Sequence, residues 1–361
     1  MPLLRPSLPL WAAQSGGSST RAAARAALDS RTPPFPVIPT CPGPTCACSP
    51  MPAGLDIDRT HNLNGSMSPY AQHLIISTGR ADWTSRIEDE KDTAVWGRFI
   101  AETKSLLGRG GEFHDPFNNI LISTSSFKPW QVAEREHQAG KASVQAQSEV
   151  DALLFPAFDH VRGLNLDADP DLPRKFVRSS LLPDPAHLHP IYKDLSEAER
   201  RAKTRDPDAG SSSLVRKSIE APTILICSHG QRDSRCGILG PLLHAEFARY
   251  MEQRQDQDDT GSDSSLSSVV SPESNINVNI GMVSHIGGHK WAGNVIFYIP
   301  PTFTSQHHQH RRHPLAGMGI WYGRVEPRHV QGIVEQTLMQ GKVIQDLFRG
   351  GVSRSGEVLR L

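Results

Sequence analysis

Two cysteines and two histidines toward the C-terminal end have the residue types and spacing of a ligand set. Cys227 and Cys236 enclose the eight residues SHGQRDSR, and downstream SHIGGHK sets three residues between His285 and His289. Thiolates are soft ligands that select zinc or iron–sulfur clusters, and imidazole suits both. A Cys2His2 set therefore satisfies either one tetrahedral zinc or the four terminal positions of a 2Fe–2S cluster. Zinc knuckles usually close on a tight turn with about two to four residues between cysteines, whereas a longer loop arches over a two-iron core and favours the cluster. The same cysteines also make a dithiol pair for exchange with protein thiols, although such pairs normally sit as Cys-x-x-Cys at a helix start. A 2Fe–2S site, a thiol oxidoreductase and a structural zinc site are the readings these residues leave open.

The elements around them are those of a cofactor loop. PTILIC (Pro222 to Cys227) reads as a buried strand that ends on the first cysteine, and GILGPLLHAEFARYM (Gly237 to Met251) as a helix with one apolar side. Gly287 and Gly288 argue against a helix and set His285 and His289 on a turn after the strand NINVNIGMVS (Asn275 to Ser284). Gly230 and Gly237 flank the cysteine loop, and Gly281 and Gly293 bracket the histidine loop, which is expected to give backbone amides close access to cluster sulfides. Arg235, Lys290 and Trp291 lie beside the motifs as supporting or docking residues. Two more strands, NVIFYIP and GMGIWYGRV, and a helix from Pro327 to Phe348 complete a β-α-β-β-β-α order over residues 221–350, the thioredoxin arrangement. A polar, acidic insertion at 253–274 is expected to be a disordered surface loop.

Upstream, residues 71–183 read as a second α/β lobe. HLIIST, NNILIST and ALLFPAF are strand-like, with helical spacing through Ile87, Trp96, Phe99, Ile100 and Leu106 and again over Gln131 to Val150. A charged, Ser-rich stretch at 184–220 divides the two lobes, so the fold class is α/β with two lobes. Residues 37–70 form a Pro- and Cys-rich linker whose Cys41, Cys46 and Cys48 have neither a zinc-knuckle nor a redox spacing. Residues 1–36 carry four arginines, one acid and many small residues, the composition of a mitochondrial transit peptide.

Bulk composition excludes other classes. Lys plus Arg and Asp plus Glu both number 38, so no basic field exists for nucleic acid. The longest strongly apolar run, Val295 to Pro300, falls far short of the roughly 20 residues of a membrane span. Five cysteines do not make a secreted disulfide framework. No Walker loop, Gly-rich dinucleotide motif, HExxH or Ser-His-Asp order appears, so no catalytic residue is assigned and an electron-transfer protein fits better than a conventional enzyme.

CSHGQRDSRCG, HIGGHKWAGN and WYGRVEPRHVQGIVEQTL resemble the sucrase/ferredoxin-like family of thioredoxin-fold 2Fe–2S proteins, in particular its fungal altered-inheritance-of-mitochondria branch. The likeness covers most of residues 37–350 and is densest in the second lobe. It implies that Cys227, Cys236, His285 and His289 all bind the cluster, the histidines taking the second iron, with Rieske-like ligand count. It further implies residence in the mitochondrial matrix or intermembrane space and a redox protein as partner. Two neutral imidazoles in place of two thiolates make such a cluster less negative, which raises its potential. A ligated imidazole that reaches solvent makes that potential fall as pH rises.

Overall fold

The computed structural model describes residues 33–130, 149–210, 214–260, 276–304 and 312–361. Most of the expected transit segment and of the helical stretch at 131–150 lie outside the described residues. In chain order the elements are β1 (Val37–Ile38), β2 (Gln72–Ser77), α1 (Val95–Leu107), β3 (Ile120–Ser125), β4 (Val150–Phe155), β5 (Asp159–Leu164), α2 (Leu172–Phe176), α3 (Glu197–Lys203) and β6 (Val215–Ser218). Then follow β7 (Thr223–Cys227), α4 (Ser234–Thr260), β8 (Asn279–Val283), β9 (Val295–Ile299), β10 (Met318–Tyr322), α5 (Val330–Ile333), β11 (Val343–Ile344), β12 (Phe348–Val352) and β13 (Val358–Leu359).

The α/β class is as expected, and the β-α-β-β-β-α order of the second lobe is present as β7-α4-β8-β9-β10-α5. In that unit β8 runs parallel to β7, β9 antiparallel to β7, and β10 antiparallel to β9. The first lobe repeats the pattern. There β3 is parallel to β2, β4 antiparallel to β2, and β5 antiparallel to β4, and α2, like α5, runs straight on into a π-helical turn. The two units join at equivalent edge strands, β3 and β8, to make one eleven-stranded sheet, ordered β13-β12-β10-β9-β7-β8-β3-β2-β4-β5-β6.

The bonds at this seam are reciprocal. Ser126 N–H donates to Met282 O and Ser284 N–H to Thr124 O, both at 2.9 Å. The serine hydroxyls return the arrangement, Ser284 Oγ accepting from Thr124 N–H and Ser126 Oγ from Met282 N–H, again at 2.9 Å. Strands β2, β4, β7 and β9 are buried at every residue: both faces of the sheet are covered, so no apolar–polar alternation survives in their sequences.

Several segments differ in detail from the sequence reading. The helix expected to reach Phe348 ends at Met339, because Gly341 adopts φ +66° against Pro314 and the chain turns into β11 and β12. Helix α4 continues to Thr260, so the first residues of the insertion at 253–274 are helical where disorder was expected, and 261–274 lie outside the described residues. The run ALLFPAF is split, β4 ending at Phe155 and β5 starting at Asp159. In the 37–70 segment β1 pairs with β11, and Tyr70 shares its hydroxyl with Tyr298 at 2.8 Å and Trp321 Nε1 at 3.0 Å. In the 184–220 stretch a Ser196–Glu199 capping box starts α3, and β6 extends the sheet beside β5.

Candidate functional site

The last residue of β7 is Cys227, and the third residue of α4 is Cys236, so the strand end and the helix start bring the two sulfurs together. Both side chains are buried, at 2% and 1% exposure. Cys236 donates its S–H to Cys227, and burial together with the neighbouring sulfur drives its own ionisation well upward. Cys227 is held below the ordinary thiol range, first by that bond and then by the backbone N–H groups of His229 and Ile286 and by the charge of Arg349. Of the two thiols, Cys227 is the one its surroundings favour as an anion.

Two glycines make this approach possible. A Cβ on Gly237 would come within 2.5 Å of Gly230 Cα, and one on Gly240 within 2.5 Å of Ser228 Cα. The neck of the cysteine loop and the first turns of α4 thus pack backbone to backbone. The glycines around the histidine loop act otherwise than expected: Gly281 lies against the Phe127 ring and Gly293, at φ +89°, against Val325 O, so they serve packing rather than opening amides to a cofactor.

His285 and His289 follow β8 on a turn made by two left-handed glycines, Gly287 at φ +85° and Gly288 at φ +76°. Their rings are 5.3 Å apart between centroids and tilted by 38°. His289 is exposed and His285 half-buried, and burial, helped by nearby Arg232, brings His285 down to about 4. Both loops meet where His285 N–H donates to His229 Nδ1 at 3.0 Å. All four predicted residues therefore lie in one region, as a buried thiol pair and an outward imidazole pair. Among the described residues, no three His, Cys, Asp or Glu side chains converge on a point that would hold one metal ion.

Sequence reasoning passed over three residues of this region. His229, inside CSHG, is 1% exposed; its Nε2–H donates to Trp83 O and Thr84 O at 3.0 and 2.9 Å, and its Nδ1 accepts from His285 N–H at 3.0 Å. It ties both motif loops to the first lobe, a role legible only once the lobes are assembled. Asn294, fully buried, donates to Gly288 O at 3.0 Å and accepts from Arg349 at 2.6 Å. Arg349, some sixty residues downstream of the histidines, has no motif spacing to reveal it.

The neighbours singled out earlier are engaged. Arg235 makes a two-pronged pair with Asp233 at 2.9 and 2.8 Å, and Lys290 reaches Asp58 at 3.3 Å over the Trp291 ring. Cys41, Cys46 and Cys48 stay outside the site, half-buried; burial raises the Cys41 thiol to about 12, and Cys46 donates to Gln331 at 3.4 Å.

The donors present fit an iron–sulfur group. Cys227 already accepts backbone N–H bonds of the kind that stabilise a ligating thiolate, His285 is held neutral as a ligating imidazole must be, and Trp291 Nε1–H, next but one to His289, is buried without an acceptor.

The chain is 26% identical over 335 residues to altered inheritance of mitochondria protein 32 of Meyerozyma guilliermondii, covering 88% of this chain and 95% of that one. It is 27% identical to the protein of the same name from Debaryomyces hansenii, covering 85% and 93%. With the Clavispora lusitaniae counterpart the identity is 38% over 178 residues, about half of each chain. No solved structure matches. The profile of the sucrase/ferredoxin-like family spans residues 63–350, both lobes and the whole of the Cys/His region, and the chain belongs to that family.

Proposed function

We propose that this protein carries a 2Fe–2S cluster, Cys227 and Cys236 on one iron and His285 and His289 on the other, and serves in mitochondria as a thioredoxin-like one-electron carrier for a protein partner. The observation that carries the reading is the meeting of the two loops at the His285 N–H to His229 Nδ1 bond, with a thiol pair on one side and an imidazole pair on the other. Two separate pairs suit two irons; a single zinc ion asks for four donors around one point. Such a cluster supplies a site that accepts and returns one electron.

The chain's own groups do the rest. The N–H donors on Cys227 and the start of α4 at Cys236 stabilise negative charge on the buried side. The imidazoles form the outlet: His289 is exposed, and His285 lines a cavity of about 310 Å³ together with Arg86, Lys104 and Arg232. A proton taken up at the distal nitrogen of either ring offsets the charge of an incoming electron, so the potential falls as pH rises.

A dithiol reading draws on the S–H bond between the cysteines and the thiolate character of Cys227, but both sulfurs are buried beyond the reach of a protein thiol. The mitochondrial setting is supported by the Arg-rich, nearly acid-free first 36 residues and by the names of the fungal relatives.

The test is iron, acid-labile sulfide and zinc content of the anaerobically purified chain, with its visible spectrum and low-temperature EPR. About two irons and two sulfides per chain and a dithionite-induced signal of Rieske-like average g are expected. A colourless protein that stays metal-free after reconstitution overturns the reading and leaves a thiol pair; bound zinc unaffected by dithionite leaves a structural site.

A further inference from the structure

Arg349, in β12, is 2% exposed, among the most deeply buried large side chains of the molecule. Its guanidinium is fully engaged, but by neutral groups: Nη1 donates to Gly287 O at 3.1 Å and Asn294 Oδ1 at 2.6 Å, Nε to Ser66 Oγ at 3.2 Å, and Nη2 to Ser66 O at 3.0 Å. Trp291 and Trp321 rings flank it at 5.2 and 5.7 Å. Among the described residues no carboxylate pairs with it, whereas the neighbouring Arg235 and Arg324 both have aspartates. A buried cation without an anion is costly, and chains rarely keep one unless negative charge arrives from elsewhere. The guanidinium lies directly behind the loop that carries His285 and His289, held to Gly287 O and to Asn294, which in turn holds Gly288 O, so the negative charge that reaches it is that of a group bound at the Cys/His site.

We propose that Arg349 is a positioning residue with two duties: it clamps the histidine loop through Gly287 O, and it is the fixed counter-charge that favours the reduced state of the group the Cys/His site would hold. The second duty rests on the cluster reading above; the first does not. Burial pulls the guanidinium down to about 10, still fully charged at neutral pH, so the charge is permanent. Gly288 completes the fit, since a Cβ there would lie 2.4 Å from a guanidinium nitrogen. Reduction adds one electron, taken from an external donor, and no bond changes; a cation held nearby in a low-dielectric site lowers the free energy of the more negative state.

The experiment compares wild type with R349Q and R349K. In metal-free protein, amide hydrogen exchange of residues 286–291 is read by mass spectrometry. In cluster-reconstituted protein, the reduced-to-oxidised ratio is read at fixed potential in a dye-mediated dithionite titration. Loss of the charge in R349Q is expected to lower that ratio about tenfold or more, the scale of one nearby buried charge, while R349K, which keeps the charge, stays near wild type. Both variants are expected to speed loop exchange about tenfold, because neither Gln nor Lys reaches Ser66, Gly287 and Asn294 together. An unchanged or raised ratio in R349Q overturns the counter-charge, and wild-type exchange in both variants overturns the clamp. Should R349Q fail to fold, R349K decides: faster exchange at an unchanged ratio supports the proposal, and a ratio lowered as far as loss of the charge would lower it refutes the electrostatic duty. If wild-type chain takes up no iron and sulfide, the cluster reading fails and takes the counter-charge with it, while loop exchange still judges the clamp.

Discussion

The two lobes share one strand plan, yet among the described residues the second brings a cysteine pair and a histidine pair to its strand ends and the first does not. Their register gives the correspondence: β2 ends on Ser77 where β7 ends on Cys227, and Ser125 and Val283, the strand-end partners of those two residues, face each other across the seam. One residue further on, Ser126 and Ser284 exchange equivalent bonds, so Phe127 stands where the second lobe has His285. A thiol is replaced by a hydroxyl and an imidazole by a phenyl ring. The first-lobe loop after β2 is instead filled by Trp83, fully buried, whose Nε1–H donates to Thr78 Oγ1 at 2.9 Å.

That filled loop is the floor of the cysteine loop. Ala81 O accepts from Ser228 Oγ at 2.9 Å, Trp83 O and Thr84 O accept from His229, and the Trp83 ring meets the His229 ring edge-on at 6.0 Å. The difference teaches a division of labour, in which the first lobe has the same scaffold without the Cys/His pairs and supports the loop of the second.

The largest effect expected from this comparison is all or none. Cys227→Ser is expected to reduce bound iron to less than about a tenth of wild type, because a hydroxyl is a poor ligand for iron. Ser77→Cys at the equivalent position is expected to leave iron content as it was, since Phe127 offers no imidazole opposite it. Iron gained by Ser77→Cys would mean that the first lobe retains a latent site and would break the comparison.

Next in size is the joint between the lobes. His73, in β2, is fully buried, with Nδ1 at 2.9 Å from the Tyr298 hydroxyl of the second lobe and Nε2 at 2.7 Å from Ser123 Oγ. Burial brings its imidazole down from 6.5 to about 3. A base depressed on folding binds more protons in the unfolded chain between those two values, so its contribution is intact above pH 6.5 and is lost as pH falls toward 3. The shift corresponds to about 5 kcal/mol. Urea unfolding at stepped pH is expected to show stability falling over that window, and His73→Gln to flatten the fall; an equal slope in the variant would show that another group carries the acid sensitivity.

How much of this was legible in sequence divides along the same line. The β-α-β-β-β-α run and all four proposed ligands lay in contiguous apolar runs and a compact Cys/His spacing, signals that depend only on neighbours in the chain. The kinship of the lobes was not legible, because ligand positions and loop contents differ and the equivalence emerges only from strand register. Arg349 and His229 were missed because their significance comes from what folding brings to them, Ser66 and Gly287 for the one and the carbonyls of Trp83 and Thr84 for the other. The end of the last helix was misjudged because an apolar run that reaches Phe348 reads alike in a helix and in the buried strands β11 and β12.

The smallest effect sharpens the comparison most, because each lobe has a glycine that lets its first helix approach its surroundings. On Gly97 of α1 a Cβ would meet Glu90 O at 2.4 Å, and on Gly240 of α4 it would meet Cys227 O at 2.6 Å as well as Ser228 Cα at 2.5 Å. All these are backbone atoms, which yield less readily than a side-chain end, so Gly97→Ala and Gly240→Ala are each expected to cost about 1–3 kcal/mol through forced separation of packed elements. Stability alone does not tell the two apart. In α1 the strain falls on a 3-10 turn (Ile87–Asp92) that holds no ligand, so iron content in the surviving folded protein is expected to match wild type. In α4 the strain falls between Cys236, one turn away on the same helix, and Cys227, so iron content per folded chain is expected to drop by half or more while the unfolding midpoint drops no further than in Gly97→Ala. Equal iron retention in both variants would mean that the separation of the two sulfurs tolerates a shifted helix, and the cysteine loop would then owe its geometry to its hold on the first lobe rather than to α4.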